Sequence, residues 1–369
     1  MRDKGLSHII IVHLYQPGTA ATNRIIAYAK SFVVLGQKVT LVLGLEHNKP
    51  ILELDGFDLK AVTAPCHSLL VPNIAKAVKR LYTNNSSILV YGSPLLCLFL
   101  PKSRYRIFYE CTEIPLYGRT EGVAIHIKEA FKLYLAKRAS GMLVISQALR
   151  DFFCQKGITN IEVVNMFVDA TRFVIQDKEN SIKNIAYCGT VSPFKDGVDC
   201  LIKAFEIFHR KHSEYRLMII GRFESPEAEN VVRNLARDLG LSDCIDFTGI
   251  VLPDEMPALL QGASMLALAR PNNRQAQFGF PTKLGEYLAT GNPVVVTNVG
   301  EIGFFLRDGE NCRMARPGDA EDFAEKMIWV ADNPEESKII GAKGKELTRI
   351  EFSAVEQSKK ALSFMNIIR

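Results

Sequence analysis

Short apolar runs of strand length alternate with segments of helical periodicity along the whole chain. The first two runs, Ser7–Leu14 and Lys38–Leu43, flank Ala21–Leu35, whose apolar side chains share one helical stripe. Strands that alternate with helices fold as a parallel sheet with helices on both faces, so we predict a doubly wound α/β protein. The other predicted elements of the first half are strands Ser87–Tyr91, Arg106–Tyr109 and Leu143–Ile145 and helices Asn73–Tyr82, Val123–Arg138 and Gln147–Lys156.

The pattern restarts after Phe167–Asn180, a polar stretch without a clear period. We therefore predict an N-terminal domain over residues 1–172 and a C-terminal domain over residues 182–350, with a boundary near residues 170–181. Residues 351–369 form a last helix, which either crosses back onto the first domain or stays on the second. Because ligands bind outside the carboxyl ends of strands in such sheets, we expect the two domains to face a central cleft. The predicted elements of the second half are strands Ile182–Cys188, Arg216–Ile220, Ile245–Thr248, Met265–Ala269 and Pro293–Thr297 and helices Val198–His212 and Glu227–Leu239.

Composition excludes several other classes of protein. Hydrophobic residues make up 47% and charged residues 23% of the 369 residues, which is ordinary for a globular protein and excludes a disordered chain. No apolar stretch approaches the roughly 20 residues of a membrane span, and the N-terminal run lacks a signal-peptide cleavage pattern. The eight cysteines form no C-x-x-C pair and the seven histidines form no cluster. We therefore expect reduced thiols, a cytoplasmic location and no metal site.

Charge is distributed unevenly between the two halves. Residues 1–175 carry a net charge of +9 and residues 176–369 carry −4. A basic half suits an anionic membrane surface or an anionic substrate, and nothing in the pattern predicts a nucleic-acid partner. We expect salt-sensitive peripheral attachment at the inner face of the membrane, the alternative being a solvated basic face on a soluble enzyme. The cations that suggest attachment are Lys76, Lys79 and Arg80 on one helix and Lys128, Lys132, Lys137 and Arg138 on another.

The densest candidate site is the stretch Gln277–Pro293. Gly279 permits a close backbone approach, and Pro281 suits the first turn of a following helix. The free N–H groups and the dipole of a helix N-terminus favour an anion, and Lys283 beside them suits a diphosphate. Glu286, one turn later, suits two sugar hydroxyls. The alternative is an exposed ion pair between Lys283 and Glu286, which are three residues apart.

A second candidate site is the loop Tyr187–Gly197, between a strand and a helix of the second half. This is the phosphate-binding position of a doubly wound sheet, and Lys195 could extend from the loop to a diphosphate. Gly189 and Gly197 provide bends. The loop is not a dinucleotide fingerprint, because the chain contains no G-x-G-x-x-G. The alternative is a solvated loop lysine.

Two further candidates lie in the first half. In the loop Tyr15–Arg24, Gly18 allows a close backbone approach, and Thr19, Asn23 or Arg24 could contact an anionic ligand. The alternative is a helix start with polar caps. After the strand that ends at Tyr109, Glu110 or Glu113 could accept a proton from an acceptor hydroxyl. Glu113 is preferred, since Glu110 can point into the packing of the sheet instead.

Several stretches together resemble one enzyme family. They are YCGTVSPFKDGVDCLIKAFEIF, LMIIG, IDFTGIV, FGFPTKLGEYLATGNPVVVTNVG, FLRDGENC and the connecting NMFVDATRF. The chain resembles the retaining glycosyltransferases of family 4, most strongly from Tyr187 to Arg313. The resemblance implies a GT-B fold, with two Rossmann-like domains, and metal-independent transfer of a sugar from a UDP- or GDP-linked donor. The expected acceptor is a glycan or lipid-linked molecule in cell-envelope or exopolysaccharide assembly.

The resemblance also implies roles for individual residues. Lys195 matches the lysine that holds the donor diphosphate, and Glu286 matches the glutamate that binds the ribose. Gly18 matches the first-domain glycine that closes on the donor, and Gly189 and Thr190 lie in the donor loop. The resemblance implies that the diphosphate is cradled by the backbone around Gly279, Phe280, Pro281, Thr282 and Lys283.

The sequence departs from the family at two positions. The family has a glutamate eight residues before Glu286, where this chain has Phe278, and often an arginine where it has Thr190. The missing glutamate normally contacts the transferred sugar. An active hexosyltransferase-type enzyme with Lys195 and Glu113 as catalytic residues is our main hypothesis. The alternatives are an inactive GT-B protein that binds a sugar nucleotide or scaffolds an assembly complex, and, less favoured, a sugar-nucleotide epimerase.

Overall fold

The computed structural model describes residues 8–16, 19–45, 57–63, 67–92, 94–114, 123–173 and 183–367. The chain divides into two compact units. The first unit comprises Met1–Asn165 and Ala354–Arg369, and the second comprises Met166–Ser353. The division therefore lies earlier in the chain than the predicted boundary near residues 170–181, and the last segment of the chain returns to the first unit.

The first unit contains a parallel sheet that has seven strands over the described residues, in the order β3-β2-β1-β4-β5-β6-β7. The strands are β1 (His8–Leu14), β2 (Lys38–Leu45), β3 (Asp58–Thr63), β4 (Ser86–Tyr91), β5 (Ile107–Cys111), β6 (Gly141–Val144) and β7 (Ile161–Val163). β1 and β4 are buried along nearly their whole length, as expected of central strands covered on both faces.

The helices of the first half are α1 (Ala20–Val34), α2 (His67–Leu81), α3 (Leu96–Phe99), α4 (Val123–Ala136) and α5 (Gln147–Gln155). Two of them begin at a side-chain cap: Thr19 accepts a hydrogen bond from the N–H of Thr22, and Ser146 from that of Leu149. Such caps satisfy N–H groups that the first helical turn leaves without a partner.

The second unit contains a parallel sheet that has six strands over the described residues, in the order β10-β9-β8-β11-β12-β13. The strands are β8 (Lys183–Cys188), β9 (Tyr215–Ile220), β10 (Ile245–Gly249), β11 (Met265–Leu268), β12 (Val294–Thr297) and β13 (Arg313–Ala315). The helices are α6 (Pro193–Asp196), α7 (Val198–His209), α8 (Pro226–Asp238), α9 (Met256–Gln261), α10 (Arg274–Phe278), α11 (Lys283–Thr290), α12 (Ile302–Phe305), α13 (Ala320–Asp332) and α14 (Pro334–Leu347). The prediction of two parallel α/β sheets is confirmed.

The last helix, α15 (Ala354–Ile367), belongs to the first unit, where it packs on α1. Arg106 donates a hydrogen bond to the carbonyl of Met365, and the ring of Phe364 packs edge-on to Phe108 with centroids 5.8 Å apart. The predicted last helix over residues 351–369 begins at Ala354, and Phe352, which precedes it, is fully buried. No helix in the described part of the chain is both long and apolar enough to span a membrane.

Three strands were not predicted from the sequence: β3, β7 and β13. The outer strand β3 is exposed at all but one residue, so it lacks the apolar signal of a buried strand. β7 and β13 have three residues each, which is too few to establish a period. All three extend a sheet whose inner strands already provide the pairing edge.

Candidate functional site

The loop after β8 passes close to the start of α11. At Gly189, φ is +155°, and an added Cβ would overlap the ammonium group of Lys283 from α11. The hydroxyl of Tyr287, also on α11, accepts a hydrogen bond of 2.6 Å from the N–H of Cys188. The carboxyl end of β8 and the first turns of α11 therefore form one site, to which both predicted motifs of the second half contribute.

Lys283 forms a largely buried ion pair with Asp196 at this site. The ammonium also lies 3.3 Å from the hydroxyl of Tyr187 and 4.8 Å from its ring centroid. The Tyr187 hydroxyl in turn lies 2.8 Å from both the Asp196 carboxylate and the carbonyl of Thr190. The side chain of Asp196 is 2% exposed, whereas that of Lys283 is 16% exposed. The Lys283 side chain is therefore not fully enclosed, and its ammonium lies beside Gly189.

Asp196 is ionised despite its burial. Burial alone would raise the pKa of this carboxyl, but the Lys283 ammonium, then the charge of Arg270 and the hydrogen bond from Tyr187, bring its pKa below the ordinary value. Arg270 follows β11 and is itself buried. The site therefore combines two cations with one carboxylate at the carboxyl ends of neighbouring strands, which is where doubly wound sheets bind ligands.

The start of α11 differs in detail from the prediction. The helix begins at Lys283, with Thr282 as its N-cap, so Pro281 precedes the helix rather than lying in its first turn. Thr282 makes no side-chain capping bond, and in the first turn the N–H of Leu284 donates to the Pro281 carbonyl at 3.0 Å and that of Gly285 to the Thr282 carbonyl at 3.2 Å. An anion at this helix start would therefore be attracted by the helix dipole and by Lys283. The ring of Phe280 is buried against Phe305 and Phe352, so only the backbone of this residue can face a ligand.

Glu286 lies one turn along α11 and forms an ion pair with Arg172. The Arg172 NH1 donates to Glu286 Oε1 at 2.8 Å, and NH2 donates to the carbonyl of Pro253 at 3.1 Å. Lys283 and Glu286 thus pair with different partners, and the alternative of an ion pair between them is wrong. Burial, and after it the nearby Glu286 carboxylate, raise the pKa of the Cys188 thiol to about 12.

Four other predicted residues belong to the second unit. Lys195 is half-buried on α6, where its N–H donates to the Ser192 side chain at 3.1 Å. Thr190 contributes its backbone carbonyl to Tyr187. Phe278 is the last residue of α10 rather than a loop residue, and Gly279 follows it as the C-cap. Of the predicted lysines it is Lys283, not Lys195, that the described hydrogen bonds connect to Asp196.

In the first unit, Glu110 and Arg24 form a fully buried ion pair. Arg24 donates to Glu110 Oε1 from Nε at 2.8 Å and from NH2 at 2.6 Å, and also to the carbonyls of Val164 and Asn165. The hydroxyl of Tyr28 donates to the same carboxylate oxygen at 3.1 Å. The prediction that Arg24 could contact an anionic ligand is therefore wrong, because its guanidinium is enclosed within the unit. Burial raises the pKa of Glu110 even against the attraction of Arg24.

The remaining first-unit predictions have separate outcomes. Glu113 follows β5 and is half-buried, and its backbone carbonyl lies 3.1 Å from the Cys111 Sγ. Thr19 caps α1, as the alternative reading of that loop expected. Gly18 lies outside the described residues.

Sequence reasoning missed three polar residues of the second-unit site: Asp196, Arg270 and Arg172. Asp196 directly follows Lys195 in a motif that was recognised. Its burial in α6 was not indicated by the sequence. Arg172 lies in the connecting stretch, which carried no periodicity. Arg270 follows a fully buried strand, and this position at a carboxyl end is the signal that could have identified it.

Residues 182–333 match the family model described as glycosyl transferases group 1. The similar curated proteins include a D-inositol 3-phosphate glycosyltransferase from Corynebacterium aurimucosum, 28% identical over 41% of this chain and 35% of its own length. A mannosylfructose-phosphate synthase from Agrobacterium fabrum is 29% identical over 43% of this chain and 35% of its own length. The chain thus spans about a third of the length of these relatives.

Solved structures extend the similarity of fold to almost the whole chain. HepE from Anabaena, whose structure was determined with UDP and glucose, has a TM-score of 0.78 at 17% identity, over 98% of this chain and all of that one. TarM has a TM-score of 0.80 at 11% identity, over 99% of this chain and all of that one. The predicted GT-B fold class is confirmed by these likenesses, and residues 182–333 carry the sequence signature of the glycosyl transferases group 1 family.

Proposed function

We propose that this protein is a retaining, hexosyltransferase-type glycosyltransferase that moves a sugar from a nucleotide-sugar donor to a glycan or lipid-linked acceptor. The observation that carries the proposal is the Lys283 ammonium, held by Asp196 and Tyr187 beside Gly189 at the N-terminus of α11. The family match over residues 182–333 supports it, as do the relatives that are named glycosyltransferases.

The donor diphosphate would lie between the loop after β8 and the start of α11. Its charge is complementary to Lys283, to Lys195 on α6 and to the positive end of the α11 dipole. Glu286, one turn further, would accept hydrogen bonds from the ribose hydroxyls. Contacts to a ribose and a diphosphate one helical turn apart suit a nucleoside diphosphate, and the resemblance to family 4 implies UDP or GDP.

The reaction follows from where charge develops. The bond between the anomeric carbon and the diphosphate oxygen breaks, and the leaving diphosphate gains negative charge that the cations and the helix N-terminus stabilise. The acceptor hydroxyl oxygen bonds to the anomeric carbon on the face that the diphosphate leaves. Its proton passes to the departing phosphate oxygen. Glu113 would make a polar contact to the acceptor. This scheme requires no metal ion.

The test is a thermal-shift screen of nucleotide sugars, followed by calorimetry and product analysis. Lys195→Ala should weaken nucleotide-sugar binding by about 1.5–3 kcal/mol, the usual range for hydrogen bonds to charged groups. Arg210→Ala, which removes an exposed pair with Glu206 on α7, is the matched control and should bind like the wild type. Wild-type protein that binds no nucleotide sugar would contradict the proposal.

Phe278 favours a second candidate, an inactive GT-B protein that binds a sugar nucleotide or scaffolds a polysaccharide-assembly complex. A phenyl ring cannot accept the hydrogen bond that a glutamate would provide, although it can pack on the apolar face of a sugar. Purified protein that binds a donor but neither transfers nor hydrolyses it would favour this candidate. Transfer to any acceptor would exclude it.

We also propose that α3 and α4 hold the enzyme on an anionic membrane surface in the cytoplasm, near a lipid-linked acceptor. Exposed apolar side chains cover this surface: Leu95, Leu98 and Phe99 at α3 and Ile127, Phe131 and Tyr134 on α4. Arg138 joins the two helices by donating to the Cys97 carbonyl at 3.3 Å and the Tyr134 hydroxyl at 3.2 Å. Apolar side chains flanked by cations suit the interface of an anionic bilayer.

Flotation with vesicles tests this surface. Wild-type protein should float with vesicles rich in anionic lipid at low salt and less at high salt, because salt screens the cations. Phe131→Asp should reduce flotation, whereas Ile339→Asp, at an exposed apolar position on α14 of the second unit, should not. Absence of flotation at low salt would contradict the membrane proposal and leave the donor site unaffected.

A further inference from the structure

We infer that Arg172 is a positioning residue that orients Glu286 for recognition of the donor ribose. The inference rests on the proposed function, because it assigns a role at the same donor site. Arg172 lies on a single 3-10 turn, Ala170–Arg172, which follows the bridge between Val168 and Ser353 in the second unit.

The guanidinium of Arg172 is held at two points. Its NH1 donates to Glu286 Oε1 at 2.8 Å, and its NH2 donates to the carbonyl of Pro253 at 3.1 Å. Because NH2 is anchored on a backbone carbonyl, the guanidinium holds NH1, and with it Glu286 Oε1, at a defined position. Over the described residues, no hydrogen bond reaches Glu286 Oε2, so the second oxygen is left for a ligand.

The backbone that carries Arg172 is also fixed against α11. An added Cβ at Gly285 would lie 2.6 Å from the sulfur of Met166 and 3.1 Å from the Cβ of Val168, so the connecting segment lies directly on this helix. The side chains of Arg172 and Glu286 are only 26% and 18% exposed. The pair is therefore partly buried, between a flexible surface ion pair and a core pair. Exposed pairs are flexible and weakly stabilising, whereas partial burial favours a defined geometry.

The geometry predicts that two residues within one helical turn bind different parts of the donor. Lys283, at the start of α11, binds the diphosphate, and Glu286 binds the sugar hydroxyls of the nucleoside. Without Arg172 the carboxylate can rotate, and its alignment with the 2′- and 3′-hydroxyls is lost while the diphosphate contact remains. Loss of Arg172 should therefore reduce discrimination between ribose and deoxyribose more than it reduces recognition of phosphate.

The experiment measures the affinities of UDP, GDP and their 2′-deoxy forms by calorimetry. We expect the wild type to prefer the ribonucleotide, and Arg172→Ala to reduce that preference about tenfold, as Glu286→Gln does. The double variant should lose no more than Glu286→Gln alone, because both changes remove the same contact. Arg172→Lys, which keeps the charge without the two-point fork, should restore only part of the preference, and thermal melting checks that each variant is folded.

The possible outcomes separate this inference from the proposed function. If the wild type binds neither nucleotide, the proposed function fails and the inference fails with it. If the wild type binds and Arg172→Ala weakens ribo and deoxy forms equally, or leaves both unchanged, the inference is wrong and the donor site stands. Additive losses in the double variant would likewise overturn it, since they would mean that Arg172 acts elsewhere than on Glu286.

Discussion

Each unit of the protein buries an ion pair, and the two pairs differ in what they leave accessible. In the first unit, the side chains of Arg24 and Glu110 are 2% and 0% exposed, and the arginine makes further hydrogen bonds to backbone carbonyls. In the second unit, Asp196 is equally buried but its partner Lys283 is 16% exposed. In the first pair both side chains are enclosed, and in the second part of the lysine side chain remains accessible to solvent.

This difference separates a structural pair from a pair suited to ligand binding. The Arg24 donors are directed at groups of its own unit, so an incoming anion would have to break these hydrogen bonds. Lys283 is held by one carboxylate and one hydroxyl beside a glycine that has no side chain to cover it. Two buried ion pairs in doubly wound domains therefore differ in accessibility, which depends on how the surrounding groups enclose them.

The largest expected effect is the loss of the first-unit pair. Glu110→Gln leaves Arg24 buried without its counter-charge, which should lower the free energy of unfolding by about 3–5 kcal/mol. The single tryptophan, Trp329, lies on α13 of the second unit. In Glu110→Gln the urea midpoint should therefore fall when unfolding is followed by far-UV circular dichroism, and change much less when it is followed by Trp329 fluorescence. Coincident shifts would contradict an effect confined to the first unit.

Substitution of the second-unit pair should change the affinity for a ligand and not only the stability of the fold. Lys283→Ala should weaken nucleoside diphosphate binding by about 1.5–3 kcal/mol, because a charge-assisted contact to phosphate is lost. The double variant Lys283→Ala/Asp196→Asn removes the stranded carboxylate charge and is the control for destabilisation. If the double variant regains full affinity, Lys283 supports the fold of the loop rather than contacting the nucleotide.

The two glutamates at the end of β5 sharpen the comparison within one unit. Glu113→Ala should lower kcat by at least about tenfold, or 1.4 kcal/mol, with little change in donor affinity, as expected for an interaction made mainly in the transition state. Its melting temperature should stay near that of the wild type, unlike that of Glu110→Gln. Wild-type turnover for Glu113→Ala would mean that the leaving phosphate alone accepts the proton.

The smallest effect is a dependence of stability on acid. The pKa of Asp196 is lowered in the folded protein, so its ionised form contributes stability that is present above the unfolded carboxyl pKa of about 3.9 and is lost as pH falls through the folded value. The stability difference between the wild type and Asp196→Asn should therefore be constant near neutral pH and shrink below about pH 4. A difference that grows towards acid would contradict an ionised Asp196.

Much of the fold could be predicted because its signals are local. The inner strands are continuous apolar runs and the long helices have an apolar stripe. This pattern indicates, from the sequence alone, a sheet that is buried on both faces. On α11 the apolar residues Leu284, Tyr287 and Leu288 recur at helical spacing and are buried. Helix starts were less certain: α11 begins two residues after Pro281, because propensity constrains a helix end only loosely.

The partners of the site residues could not be predicted. Lys283 and Glu286 were recognised as a set from their spacing on one helix, but their actual partners, Asp196 and Arg172, are 87 and 114 residues away in the chain. The residues of one stretch can predict that a lysine or a glutamate belongs to a site, because this depends on the neighbouring sequence alone. Which charge it meets depends on crossover connections that bring distant strand ends together, and no local pattern records them.

The sequence by itself therefore determined the α/β class, the two sheets and the segments that form the candidate site of the second unit. Only the tertiary structure decided that Arg24 is enclosed, that Lys283 rather than Lys195 is paired with Asp196, and that Phe280 belongs to an aromatic core. The physical reason is that burial of apolar surface is encoded residue by residue, whereas the solvation and pairing of a charge are set by everything that packs around it.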